Sequence, residues 1–149
     1  MGVGFFARGW GPFRSLLTVA AFGIAAGCGL QVQAADLFLL TRTGGGQPKL
    51  TLLVNSGGTI RCNGSQAKPL PDNLLLQARN MTGALNRDAR HHLHIAPAPD
   101  SVYNYRVKLQ NGTITFPDTA ARTHGELARL ELLVVKIIDG PCRGLSHSA

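Results

Sequence analysis

The Asn111-Gly112 pair, set in a run of alternating apolar and polar residues from Val102 to Phe116, constrains this chain more than any other feature. Asn and Gly both tolerate positive φ, which a two-residue turn matched to strand twist demands at its central positions. With these two at the tip, Leu109 is expected opposite Ile114 and Val107 opposite Phe116. Four apolar side chains then share one face, while Arg106, Lys108 and Thr115 point away from it. An isolated two-stranded hairpin is at best marginally stable in water, so other parts of the chain must cover that face.

A second hairpin is expected earlier. From Lys49 onward Leu50, Leu52 and Val54 alternate, Ser56-Gly57-Gly58 supplies a three-residue turn, and Ile60 and Cys62 return on the same face. That loop length opposes Val54 to Ile60 and Leu52 to Cys62, whereas a two-residue loop would set them against Arg61 or Thr59. Residues 35–48, with the apolar run Leu37 to Leu40 before Gly44-Gly45-Gly46-Gln47-Pro48, read as an N-terminal arm or short strand and a glycine-rich turn.

Two helices are expected to supply the cover. Asp72 can cap a helix whose Leu74, Ala78, Met81 and Leu85 form one stripe, with Gly83 loosening its last turn near Asn86. Thr123 and Glu126 form a Thr-x-x-Glu capping box before an apolar segment that ends at Gly140-Pro141. Helix is the preferred reading there, with strand as the alternative over 130–138, where Val134, Val135, Ile137 and Ile138 are β-branched. The order β-β-α-β-β-α gives an α+β class: an antiparallel sheet of two hairpins with two helices packed on one face.

Length confines this to one folded unit, since 149 residues suffice for a single domain of ordinary size. Residues 1–34 have the order of a signal peptide. Arg8 and Arg14 precede an apolar run from Leu16 to Leu30, and Val32-Gln33-Ala34 offers small side chains for cleavage after Ala34. The run is shorter than the roughly 20 residues a membrane-spanning helix needs. Ala25-Ala26-Gly27-Cys28 is a second exit, resembling a lipoprotein box that would anchor the chain by lipid at Cys28. The expected organisation is therefore a leader over 1–34, the arm over 35–48 and an α+β domain over 49–149.

A secreted chain meets an oxidising compartment, which favours a bond between the two cysteines left after the leader, Cys62 and Cys142. A reactive thiol or metal pair is the alternative, but no histidine or carboxylate stands at ligand spacing from either cysteine. Losing Arg8 and Arg14 takes the formal charge from +7 to about +5, still basic. Only Phe38, Tyr103, Tyr105 and Phe116 remain of the aromatics, too few to stack nucleic-acid bases, so no nucleic-acid partner is expected.

His91-His92-x-His94 is the one cluster with metal character, because His92 and His94 would point the same way from an extended backbone. A solvated junction after the helix is the commoner explanation, since no third ligand stands at fixed spacing, and no cofactor is expected. No Gly-x-Ser-x-Gly elbow accompanies the histidines, so the chain does not read as an enzyme.

Three short motifs carry a resemblance. Thr59-Ile60-Arg61-Cys62 ending a strand, Pro71-Asp72 opening an apolar helix, and Val102-Tyr103-Asn104 after a proline-rich loop resemble, in that order, the Streptomyces subtilisin inhibitor family of secreted protease inhibitors. The resemblance spans about residues 50–104. It implies an exported α+β inhibitor offering a serine protease a loop of substrate-like shape, with Ser101 and Val102 flanking the scissile bond. The cysteines that stiffen that loop in the family are not carried: Gln77 stands at the helix position, and none stands in the loop before Val102.

Two readings follow. The first is a small secreted, non-enzymatic domain that binds an extracellular protein, a serine protease in the inhibitor version. Its candidate loop runs through Pro97, Pro99, Asp100, Ser101 and Val102, with Tyr103 and Tyr105 as anchors or as core residues. The second is an extracellular or lipid-anchored structural protein whose basic charge attracts anionic polymers.

Overall fold

The computed structural model describes Met1 and residues 35–144; the leader, its cleavage site at Ala34 and Cys28 lie outside the described residues. Six strands form one antiparallel sheet: β1 (Asp36–Gly44), β2 (Leu50–Asn55), β3 (Thr59–Cys62), β4 (Lys68–Pro69), β5 (Tyr103–Leu109) and β6 (Gly112–Pro117). Their spatial order is β4-β3-β2-β1-β5-β6. Two helices, α1 (Asp72–Arg90) and α2 (Gly125–Asp139), pack together over one face of this sheet, and a short 3-10 helix at Asp118–Arg122 joins β6 to α2.

The segment expected as arm or strand is the strand that unites the sheet. β1 pairs with β2 on one side and β5 on the other, so Phe38, Leu39 and Leu40 are all buried. The β2–β3 register is as expected, with Val54 opposite Ile60 and Leu52 opposite Cys62 across Ser56-Gly57-Gly58. Asn55 Oδ1 accepts the Gly57 amide at 2.7 Å, and Gly58 takes the positive φ of +86° that closes the turn.

The second hairpin differs from expectation. Leu109 pairs with Gly112, Val107 with Ile114 and Tyr105 with Phe116, so the tip is Gln110-Asn111 and the register is displaced by two residues. A displacement of two keeps every side chain on its face, and the apolar pattern therefore holds. The end of α1 accounts for the choice. A Cβ on Gly112, whose φ is +143°, would lie 2.7 Å from the Ala89 carbonyl oxygen, and the Asn111 amide donates to Asn86 Oδ1 at 3.2 Å. Gly112 is used for this close approach rather than for the turn tip.

α1 buries Leu74, Leu75, Ala78, Met81, Leu85 and Ala89. Pro71 occupies its cap position and Asp72 lies in the first turn, where a carboxylate favours the positive end of the helix dipole. The expected loosening after Gly83 does not occur, because Asn86 and Ala89 hold the last turn against the β5–β6 tip.

Residues 130–138 are helical throughout. Leu127, Leu130, Leu133, Val134 and Ile137 repeat at three and four residues, and all are buried, which a strand of period two would not achieve. The capping box is not formed. Thr123 instead closes the 3-10 turn by donating to the Ala120 carbonyl at 3.4 Å, His124 takes the cap position, and Glu126 pairs with Arg129 at 3.1 Å.

Cys62 and Cys142 are bonded, with Cα atoms 5.9 Å apart. Both are buried, so the bridge ties β3 to the end of α2 within the core. No helix among the described residues is long and apolar enough to cross a membrane.

Candidate functional site

The prolines at 97 and 99 restrict the backbone of the loop leading into β5, and the loop folds on itself. The Ala98 amide donates to Ser101 Oγ at 2.9 Å, and the Ser101 amide donates back to the Ala98 carbonyl at 3.0 Å. Three contacts then fasten it to the 3-10 helix. Arg122 Nη1 pairs with Asp100 Oδ2 at 2.9 Å, the hydroxyls of Ser101 and Thr119 lie 3.1 Å apart, and the Val102 amide donates to both carboxylate oxygens of Asp118 at 3.2 Å each. The Arg122–Asp100 pair is exposed and adds little, whereas the Asp118 contact is charge-assisted and sets the backbone direction.

The expected loop residues divide by exposure. Pro97, Pro99, Asp100 and Val102 are exposed, Val102 at 53%, and Ser101 is half-buried beneath them. Tyr103 is also half-buried, with the Arg42 guanidinium 4.6 Å from its ring centre. Gly45 makes room for that ring, since a Cβ there would lie 2.4 Å from Tyr103 Cε1. Tyr105 belongs to the core. It is buried and stacked on Phe116 with ring centres 5.1 Å apart, so of the two tyrosines only Tyr103 borders the surface.

Behind the loop lies a charged cluster that the linear pattern does not show. Glu131, on α2, has its carboxyl pushed up to about 7 by burial and then by the negative charge of Asp118. Its Oε1 is enclosed and has no hydrogen-bond partner among the described residues. Tyr105 is pushed up to about 12 by its own burial first and by Glu131 second, with Arg42 acting in the opposite sense. Asp118 therefore serves two neighbours, the loop amide and the half-buried carboxyl.

His92 and His94 are not brought together as a pair on extended backbone. His92 lies in a left-handed turn, φ +54°, just past α1, and His94 hydrogen-bonds the Thr115 hydroxyl beside the β6 edge. No group of three metal-binding side chains occurs among the described residues. A groove of about 250 Å³ between α1 and α2 is lined by Gln77, Asn80, Met81, Glu126, Arg129 and Leu132. Arg42, Asp118, Thr119, Arg122 and Glu131 carry no signal in the linear sequence that links them to the loop, because each lies in a different element from it. Comparison of the chain with protein-family models, curated proteins and solved structures finds no match to any of them.

Proposed function

We propose that this is a small exported, non-enzymatic binding domain that presents residues 97–103 to an extracellular protein, a serine protease in the inhibitor version of the reading. The observation that carries it is the fastening of an exposed loop by Asp118, Thr119 and Arg122, with Val102 left projecting. A loop held in one shape before binding forfeits less conformational entropy on association. The resemblance maps the scissile bond to Ser101–Val102. The Asp118 carboxylate holds the amide on its leaving side, a contact that would keep a cleaved end in place. Side-chain hydrogen bonds thus stand where the similar family uses disulfides.

The test uses the full chain and a Val102→Arg variant. At micromolar excess the wild type is expected to inhibit subtilisin or trypsin and the variant to lose at least tenfold of that potency. Proteases left fully active by the wild type would remove the inhibitor version. Capture from the native extracellular fraction then addresses the broader reading. A protein retained equally by wild type and variant would show that the loop is not the contact surface.

A further inference from the structure

Among the described residues, both α1 and α2 lie on one face of the sheet, and the other face has a composition of its own. The register places Arg61, Leu53, Leu39 and Lys108 in one row across β3, β2, β1 and β5. The next row is Thr51, Thr41, Arg106 and Thr115, across β2, β1, β5 and β6. Arg61 and Arg106 are exposed and Lys108 is half-buried, and none of the three has an ion-pair partner among the described residues. The six strands contain a single carboxylate, Asp36, which sits at the start of β1 and accepts from Asn55 Nδ2 at 3.1 Å. The face is thus basic with little internal neutralisation.

Geometry selects among anionic partners. Arg106 and Lys108 are about 7 Å apart along β5, and Arg61 lies three strand spacings from Lys108, about 14 Å away. Charges so spread do not converge on one small anion, but they match a chain with repeated acidic groups. All four aromatic residues among those described alternate onto the opposite, helix-covered side, which leaves no platform for stacking bases. Leu39 is buried and Leu53 half-buried, so among the described residues of this face no large apolar side chain projects to enter a lipid layer. Thr41 and Thr51 offer hydroxyls that both donate and accept, as sugar hydroxyls require, whereas the Thr115 hydroxyl is engaged by His94.

We propose that the face of the sheet opposite α1 and α2 is a binding surface for a linear anionic polysaccharide, with Arg61, Arg106 and Lys108 meeting its acidic groups and Thr41 and Thr51 its hydroxyls. The site is separate from loop 97–103, and its test does not depend on the loop.

The full chain is passed over immobilised dextran sulfate, polygalacturonate and uncharged dextran at low and high salt. Salt-sensitive binding to the two charged polymers is expected, with none to dextran. The variant R61Q/R106Q/K108Q is expected to bind at least tenfold more weakly. R87Q/R90Q/R129Q, which removes the same charge from the helices, should stay within twofold of wild type. If circular dichroism shows the sheet triple unfolded, R61Q alone, at an exposed position, is expected to lose at least twofold. Absence of wild-type binding, equal losses from the two triples, or equally tight binding to anionic lipid vesicles or duplex DNA would each overturn the proposal.

Discussion

Asp118 grips the Val102 amide with both of its carboxylate oxygens, so a residue following β6 dictates the backbone that enters β5. The same carboxylate faces Glu131 and helps raise its proton affinity. Loop shape and a half-buried titrating group therefore meet at one side chain.

Replacing Asp118 with Ala is expected to free the loop. A lost charge-assisted hydrogen bond to backbone costs about 1–3 kcal/mol, and Asp118→Asn, which keeps one acceptor, should cost less. Limited proteolysis is expected to cut within 98–103 faster in the Ala variant. Unchanged cleavage there would show that the clamp does not order the loop.

Glu131 makes stability depend on pH in a definite direction. Its folded value of about 7 lies above the ordinary 4.5, so the fold favours the protonated form. This contribution is fully present below about pH 4.5 and is lost as pH rises through about 7. Glu131→Gln should therefore match wild type near pH 4 and exceed it near pH 8 by about 1 kcal/mol, a figure reduced for the solvent that reaches the side chain. Melting curves at the two pH values check this, and an equal difference at both would contradict it.

The Cys62–Cys142 bridge closes a sequence separation of 80 residues. In the chain-entropy account such a loop stabilises the fold by about 4 kcal/mol. The double variant Cys62→Ala/Cys142→Ala is expected to lose stability of that order in urea titration, allowing for the two buried side chains removed. Intact mass of the unreduced protein should lie about 2 Da below the reduced value for one bridge.

Two glycines should respond oppositely to alanine. Gly112→Ala meets the Ala89 carbonyl at 2.7 Å in a backbone conformation suited to glycine, and is expected to cost about 2 kcal/mol or more. Gly83→Ala meets nothing within 4 Å in the exposed middle of α1 and should gain up to about 1 kcal/mol. Thermal melts of the two variants moving in the same direction would count against this account.

The apolar stripes of α1 and α2, the β2–β3 register and the Cys62–Cys142 pairing were all legible in the sequence. The stripes and the register follow from spacing: a period of three to four for Leu127 to Ile137, a period of two for Leu50 to Val54, and a turn at Ser56-Gly57-Gly58 whose length sets the register. The pairing follows from the two cysteines left once residues 1–34 are read as a leader. Loop 97–102 was legible as a loop, because prolines at 97 and 99 exclude regular structure. Its fastening was not, since Asp118, Thr119 and Arg122 are 16 to 22 residues away and carry no periodic signal.

Where the local pattern is compatible with two solutions, packing between distant segments chose. Asn111-Gly112 suits a tight turn, yet Gly112 is drawn one place into β6 because the end of α1 presses on it. Thr123 and Glu126 can form a capping box, yet Thr123 closes the 3-10 turn and Glu126 pairs with Arg129. The run Leu37 to Leu40 is apolar on successive residues, which is compatible with an arm or a strand. It becomes the central strand because β2 and β5 both pair with it and the helices bury its Phe38 and Leu40. Backbone preference and hydrophobic period act within a few residues and are written in the chain. The choice among their compatible outcomes rests on burial between segments tens of residues apart, which no local pattern encodes.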